Sequence, residues 1–181
     1  MYKRQNYIYT IPAYLHSSNG LLRNTLGGWE IAGITTAESG VPLNIYFNNG
    51  DTVGLGGNTT VRPDKSAKVS YPKTQAAWFN TSVFTKPIAP WLSNNTTTGF
   101  GNAGKDSVVG PGLFNWNLSL YKSFHLTSHE GPSLQLRAET YNTFNHTEFN
   151  GVDTGLGDSN YGKVTSTYDP RTMQFGAKFL F

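Results

Sequence analysis

The chain of 181 residues contains no cysteine. No disulfide can form, and the absence suits an extracytoplasmic bacterial protein as well as a cytoplasmic one. Charge is scarce: 14% of residues are Asp, Glu, Lys or Arg, and the formal net charge is +3. The positive charges are scattered and make no basic stripe, which argues against a nucleic-acid partner. No apolar run approaches the ~20 residues of a transmembrane helix. That test does not reach barrel strands, in which only alternate residues face lipid. A Gly-x-Ser-x-Gly elbow, a P-loop and a His-Glu-x-x-His motif are all missing, so neither an enzyme nor a cofactor is read here. His125 and His129 are four apart, which suits a metal only on a helix, and they flank a turn. Asp51 and Asp153 lack the spaced carboxylates of a calcium loop. His16 and His146 stand alone, His146 at a strand end where a structural hydrogen bond is expected.

What is present points to an all-β protein. Twenty glycines, ten tyrosines and a 14% aromatic content accompany the low charge, a composition that favours strands. The final ten residues carry the pattern most plainly. Met173, Phe175, Ala177, Phe179 and Phe181 share one side of an extended strand, with Gln174, Gly176 and Lys178 on the other. Four more segments repeat this arithmetic. Residues 5–15 place Tyr7, Tyr9, Ile11, Ala13 and Leu15 on one face, and 16–20 read as a turn followed by a connector to Gly28. Trp29, Ile31, Gly33, Thr35 and Ala37 alternate next. The odd-numbered phase continues through Val41, Leu43, Ile45 and Phe47, so one long strand over 29–47, bent near Gly40, is expected. A hairpin at Ser39-Gly40 is the alternative. Phe114, Trp116, Leu118, Leu120 and Phe124 follow, with Lys122 as an exception. Leu134, Leu136, Ala138, Thr140 and Phe144 form the fourth face.

The connections between these five strands run short, long, short, long. The first long one, 48–112, loses all alternation yet keeps Trp78, Phe79, Phe84, Trp91 and Phe100, so a folded surface loop is expected there. The second, 146–171, is polar and glycine-rich, with a short strand over 163–168. Short turns on one side and long loops on the other are the asymmetry of an outer-membrane barrel, and parity puts both long loops outside. Tyr9, Trp29, Trp116, Phe124, Tyr168 and Phe181 would supply aromatics at the membrane boundaries. Arg137 and Glu139 share a polar face and would point to the lumen.

With these segments in view, the chain resembles the C-terminal part of a TonB-dependent outer-membrane receptor. It is most similar to the Oar-like group that carries a carboxypeptidase-regulatory-like domain. The residues that carry the resemblance are Gly27-Gly-Trp-Glu-Ile-Ala-Gly-Ile-Thr-Thr36 with Ser39-Gly-Val-Pro42, Phe100-Gly-Asn-Ala-Gly104, Gly110-Pro-Gly-Leu-Phe-Asn-Trp-Asn-Leu-Ser119, Leu136-Arg-Ala-Glu-Thr-Tyr-Asn-Thr-Phe-Asn-His146 and the terminal Phe. The resemblance implies a 22-stranded barrel with a plug and a TonB-contacting segment upstream. Residues 1–181 would then be the closing wall and two outer loops. Five strands cannot close a barrel, since the smallest single-chain examples have eight. Met1 to Asn6 has no apolar h-region of a signal peptide, so the chain is expected to be a fragment or to have a misassigned start. The implied partners are the remaining strands and plug, TonB, the lipid bilayer and the barrel-assembly machinery, which would read Phe175, Phe179 and Phe181. The implied function is uptake of a ligand by the complete receptor.

The rival reading is a soluble, secreted or self-assembling β-sheet protein that binds carbohydrate through loop aromatics. Trp78, Phe79, Trp91 and Phe100 are the candidate ligand contacts, although such residues more often form a small core beneath a long loop. The two readings differ in what covers the face Phe114, Trp116, Leu118 and Leu120: a second sheet or lipid.

Overall fold

The computed structural model describes residues 1–12, 18–48, 60–94, 99–126 and 131–181. Asp51, His16, His129, Gly54 to Gly57 and the tip of the turn at 127–130 lie outside them. The chain divides into two compact units, residues 1–38 with 113–148 and 169–181, and residues 39–112 with 149–168.

The first unit is one antiparallel sheet of five strands in the order β1-β2-β3-β4-β5. These are β1 (Tyr2–Thr10), β2 (Trp29–Glu38), β3 (Leu113–His125), β4 (Ser133–Tyr141) and β5 (Thr172–Leu180). Sequential strands are neighbours throughout. The register carries one residue row across all of them: Tyr9 opposes Ile31, Ile31 opposes Leu120, Leu120 opposes Ala138 and Ala138 opposes Phe175. Directly opposed residues point to the same face. The five apolar sets read from the sequence therefore merge into one surface, and the polar sets into the other.

Among the described residues of this unit no second sheet packs on the apolar face. Phe175 is 75% exposed and Phe114 59%, and Leu120, Leu136 and Phe179 are exposed as well. An apolar surface of this extent is not stable in water. The barrel expectation for fold class holds in this form: an antiparallel transmembrane sheet, open at β1 and β5.

Three local expectations need correction. The segment 21–28, read from the sequence as a short connector, holds most of a helix, α1 (Gly20–Leu26). Asn19 caps it, its Oδ1 accepting from Leu21 N at 3.0 Å and Leu22 N at 3.4 Å. Gly28, at φ 72°, then turns the chain into β2, and a Cβ there would overlap the Ser123 carbonyl oxygen. The first strand ends at Thr10, short of Pro12, and Ala13 and Leu15 lie outside the described residues. The fourth ends at Tyr141, because Asn142 and Asn145 adopt left-handed φ values of 52° and 51°.

The long strand over 29–47 does not exist. β2 stops at Glu38 and the chain enters the second unit, where Pro42–Leu43 pairs with Val108–Val109 and Phe47–Asn48 with Thr60–Val61. It is not a hairpin either, since neither pair returns to β2. Gly40 passes so close to Gly110 that a Cβ would overlap its carbonyl oxygen. The odd-numbered phase persisted because Ile45 is buried, and Leu43 packs, in a different core.

That core belongs to the second unit. Ile45, Val69, Trp78, Phe79, Val83, Phe84, Ala103 and Val108 are buried together, and Phe149, Val152, Leu156, Tyr161 and Val164 pack against them. Phe79 meets Phe84 and Tyr161 edge-on at 6.1 and 5.6 Å, and Trp78 meets Phe149 at 6.1 Å. The two long loops of the sequence are thus one folded body. Backbone bonds join them: Tyr46 N to Thr154 O at 3.3 Å, Trp78 N to Gly162 O at 2.7 Å and Val164 N to Gln75 O at 2.9 Å. The expected short strand is Val164–Thr167, paired with Phe149–Val152.

Candidate functional site

The sheet offers two functional surfaces. On the apolar one, the aromatics gather toward the strand ends. Phe114 and Trp116 stand beside each other at one end of β3, and Phe144 packs edge-on to Trp116 at 5.5 Å. Trp29, Tyr9 and Phe124 stand at the other end. Phe114 and Phe124 are separated by about 33 Å of strand at ~3.3 Å per residue. A tilt of ~40° reduces this to about 25 Å, the height of a lipid-facing band. Tyr168, expected at the same boundary, belongs to the second unit, and Phe181 follows β5 fully exposed.

Lys122 interrupts this face between Leu120 and Phe124, and it is 6% exposed. Its Nζ donates to Thr25 O at 3.3 Å and to Gly27 O, and it lies over the rings of Trp29 at 5.1 Å and Phe124 at 5.0 Å. Trp29 Nε1 donates to the same Thr25 carbonyl at 3.1 Å. The carbonyls that end α1 are therefore capped by an ammonium and an indole. Periodicity marked Lys122 only as an exception; its partners lie more than ninety residues away, beyond the reach of any local pattern.

On the polar face, the register aligns Thr10, Glu30, Tyr121, Arg137 and Gly176 in one row and Ser119, Glu139 and Gln174 in the next. Gln174 Nε2 donates to Glu139 Oε2 at 2.8 Å, and Thr10 Oγ1 to Glu30 Oε2 at 3.2 Å. Arg137 lies across Gly176, where an added Cβ would stand 2.7 Å from its Nε. Glu139 is held by its neighbour across the strand pair, Gln174, which leaves Arg137 a separate cation on this surface.

At the Tyr141 end of β4 a polar knot fixes the point where the chain leaves the sheet. Asn142 N donates to Asn117 Oδ1 at 2.9 Å, and Asn142 Nδ2 to His146 O at 2.9 Å and Asp169 O at 3.3 Å. His146 N returns a bond to Asn142 Oδ1 at 3.0 Å, and Arg171 N donates to Asn145 Oδ1 at 3.0 Å. The His146 ring meets the buried Glu148 carboxylate at 3.0 Å, the structural role expected for it. The run Tyr141-Asn-Thr-Phe-Asn-His146 was the signal, and only its two positive-φ asparagines explain why it turns there.

The four loop aromatics separate into two kinds. Trp78 and Phe79, the latter 1% exposed, are core residues, and Trp78 Nε1 is tied to Val109 O at 2.8 Å. Trp91 is 58% exposed on a short 3-10 turn, Pro90–Leu92, and Phe100 is 61% exposed. The second pair is open to solvent. A hollow of about 460 Å³ in the same unit is lined by Gln75, Asn160, Lys163 and Thr165. Among the described residues no three His, Cys, Asp or Glu side chains converge as metal ligands.

The family model described as an outer membrane beta barrel domain matches residues 4–174. No curated protein and no solved structure matches the chain. The chain belongs to the outer membrane beta-barrel domain family, and its place is the bacterial outer membrane.

Proposed function

We propose that this outer-membrane barrel chain is the closing wall and outer loop body of a TonB-dependent transporter, acting without enzymatic chemistry. One observation carries the reading. A five-stranded sheet with a lipid-type face sends both of its long connections into a single folded unit, 39–112 with 149–168. A simple channel has no need of a cored body of that size built from two loops. The resemblance of the Gly27–Thr36, Gly110–Ser119 and Leu136–His146 stretches to such receptors supplies the rest. In this reading Arg137 and Glu139 face the lumen and contact the plug of the complete receptor. Trp91 and Phe100 contact the ligand, and TonB supplies the energised opening. Phe175, Phe179 and Phe181 form the strand that the barrel-assembly machinery grips.

The test uses the complete protein taken from outer membranes and the periplasmic domain of TonB. Capture of the protein by immobilised TonB, together with an upstream plug in the same reading frame, is the expected result. A complete protein with no plug and no retention by TonB overturns the reading. Phe181→Asp in the complete protein should lower the amount recovered in the outer membrane, and unchanged recovery would remove the assembly role. The soluble reading needs a second sheet over Phe114 to Leu120; among the described residues the sheet unit holds none, and the family is a membrane one.

A further inference from the structure

The apolar face carries a groove of about 470 Å³ beside the end of α1. Its floor is the small residue Ala138, flanked in the register by Leu120 and Phe175, with Leu136 alongside. Trp29 and Thr25 form the wall nearest the helix. The volume lies within the range of sites for single small ligands. Two sets of hydrogen bonds anchor the helix that borders the groove. Lys122 fastens the end of α1 by two carbonyl bonds, and the Trp29 indole fastens the same turn. The helix cannot then collapse onto Ala138, and its Leu21 and Leu26 remain exposed beside the sheet.

The groove is continuous with the face that an outer-membrane barrel turns to lipid. It runs from the middle of the face, at Leu120 and Ala138, to the end of β3 near Lys122 and Phe124, where the chain makes its short connections, the periplasmic side in such barrels. A charged side chain is costly on this face at the midplane and nearly free at the boundary, which places Lys122 at the edge of the hydrocarbon. An occupant there must be long, apolar and delivered from the inner side of the bilayer.

We propose that this groove holds one acyl chain of a phospholipid from the periplasmic leaflet, and that Lys122 is the positioning residue that keeps it open. The chain lies over Ala138 between Leu120 and Phe175, and α1 rests along the boundary with its leucines in lipid. The proposal rests on the outer-membrane location and is independent of TonB.

The complete protein is extracted from outer membranes, and the lipid that survives repeated detergent washing is weighed by native mass spectrometry. Phosphatidylethanolamine is the probe for reloading. The wild type should retain one phospholipid. Ala138→Leu, which fills the floor, and Lys122→Met, which keeps the stem and removes the ammonium, should each lower that occupancy by about tenfold. Ala37→Leu, at the far end of the same face, should not. Heat-modifiable migration on gels confirms that each variant is folded. Equal retention by wild type and Ala138→Leu overturns the proposal, and so does retained lipopolysaccharide in place of phospholipid.

Discussion

The sheet and the loop unit solve opposite problems with the same residues. Among the described residues every buried hydrophobic side chain of the chain, from Ile45 to Val108, lies in the loop unit. The sheet buries none and displays Phe114, Leu120, Leu136, Met173, Phe175 and Phe179. The loop unit turns Trp78, Phe79 and Phe84 inward around a core of its own. The sheet is built for a solvent that is itself apolar, so its backbone is paired within the sheet while its side chains face out. A phenylalanine therefore stabilises Phe79's surroundings by leaving water, and Phe175 contributes only once a bilayer is present.

The contrast can be broken from either side. The largest effect belongs to Phe79→Ala. It should cost the loop unit about 3–5 kcal/mol, seen as rapid protease cleavage within 60–112 while the barrel of the complete protein stays heat-modifiable. Loss of the barrel as well would show that the two units do not fold independently. Leu120→Arg is the mirror experiment. Near the middle of the lipid-facing strand it should cost about 2–4 kcal/mol in urea unfolding of the complete protein from bilayers, and leave loop protease resistance unchanged.

Tyr161 sharpens the comparison within the loop unit. Among the described residues its buried hydroxyl finds no hydrogen-bond partner, and desolvation raises its pKa above the ordinary 10.0. The folded unit therefore holds the phenol neutral where the unfolded chain ionises. That contribution is complete below pH 10, falls as the pH rises above it, and is lost once the raised folded value is passed. Tyr161→Phe should flatten the alkaline loss and add about 1 kcal/mol at neutral pH by removing an unpaired hydroxyl, both read from protease resistance against pH. The smallest effect is expected at Trp91→Ala. An exposed ring should change stability by less than about 0.5 kcal/mol, so if the proposed transporter role holds, lowered ligand binding by this variant would assign Trp91 to capture rather than to folding.

Much of the sheet was legible because each strand states its own face. From Phe114 to Phe124 the alternation is local, and the observed strand Leu113–His125 follows it within a residue at each end. The same reasoning failed between Val41 and Phe47. Alternation reports that alternate residues are buried, not which core buries them, and Leu43 and Ile45 serve the loop unit. Helix α1 left no trace, because seven residues are too few to show a helical period and its end is fastened by Lys122 from another strand. Of the candidate contacts, burial separates Trp78 and Phe79 from Trp91 and Phe100, a distinction that four aromatics in a polar loop do not carry in their spacing.

The amino-acid sequence by itself determined the five strands, their faces and the alternation of short and long connections. A period of two is written residue by residue, and pairing in register preserves it. Only the tertiary structure decided that two loops separated by two strands share one core, that β2 ends at Glu38, and that a lysine on the lipid face caps a helix. Each of these depends on contacts between residues far apart in the chain, such as Tyr46 with Thr154 and Lys122 with Gly27. Burial and hydrogen-bond satisfaction select such contacts over the whole molecule, and no local pattern encodes them.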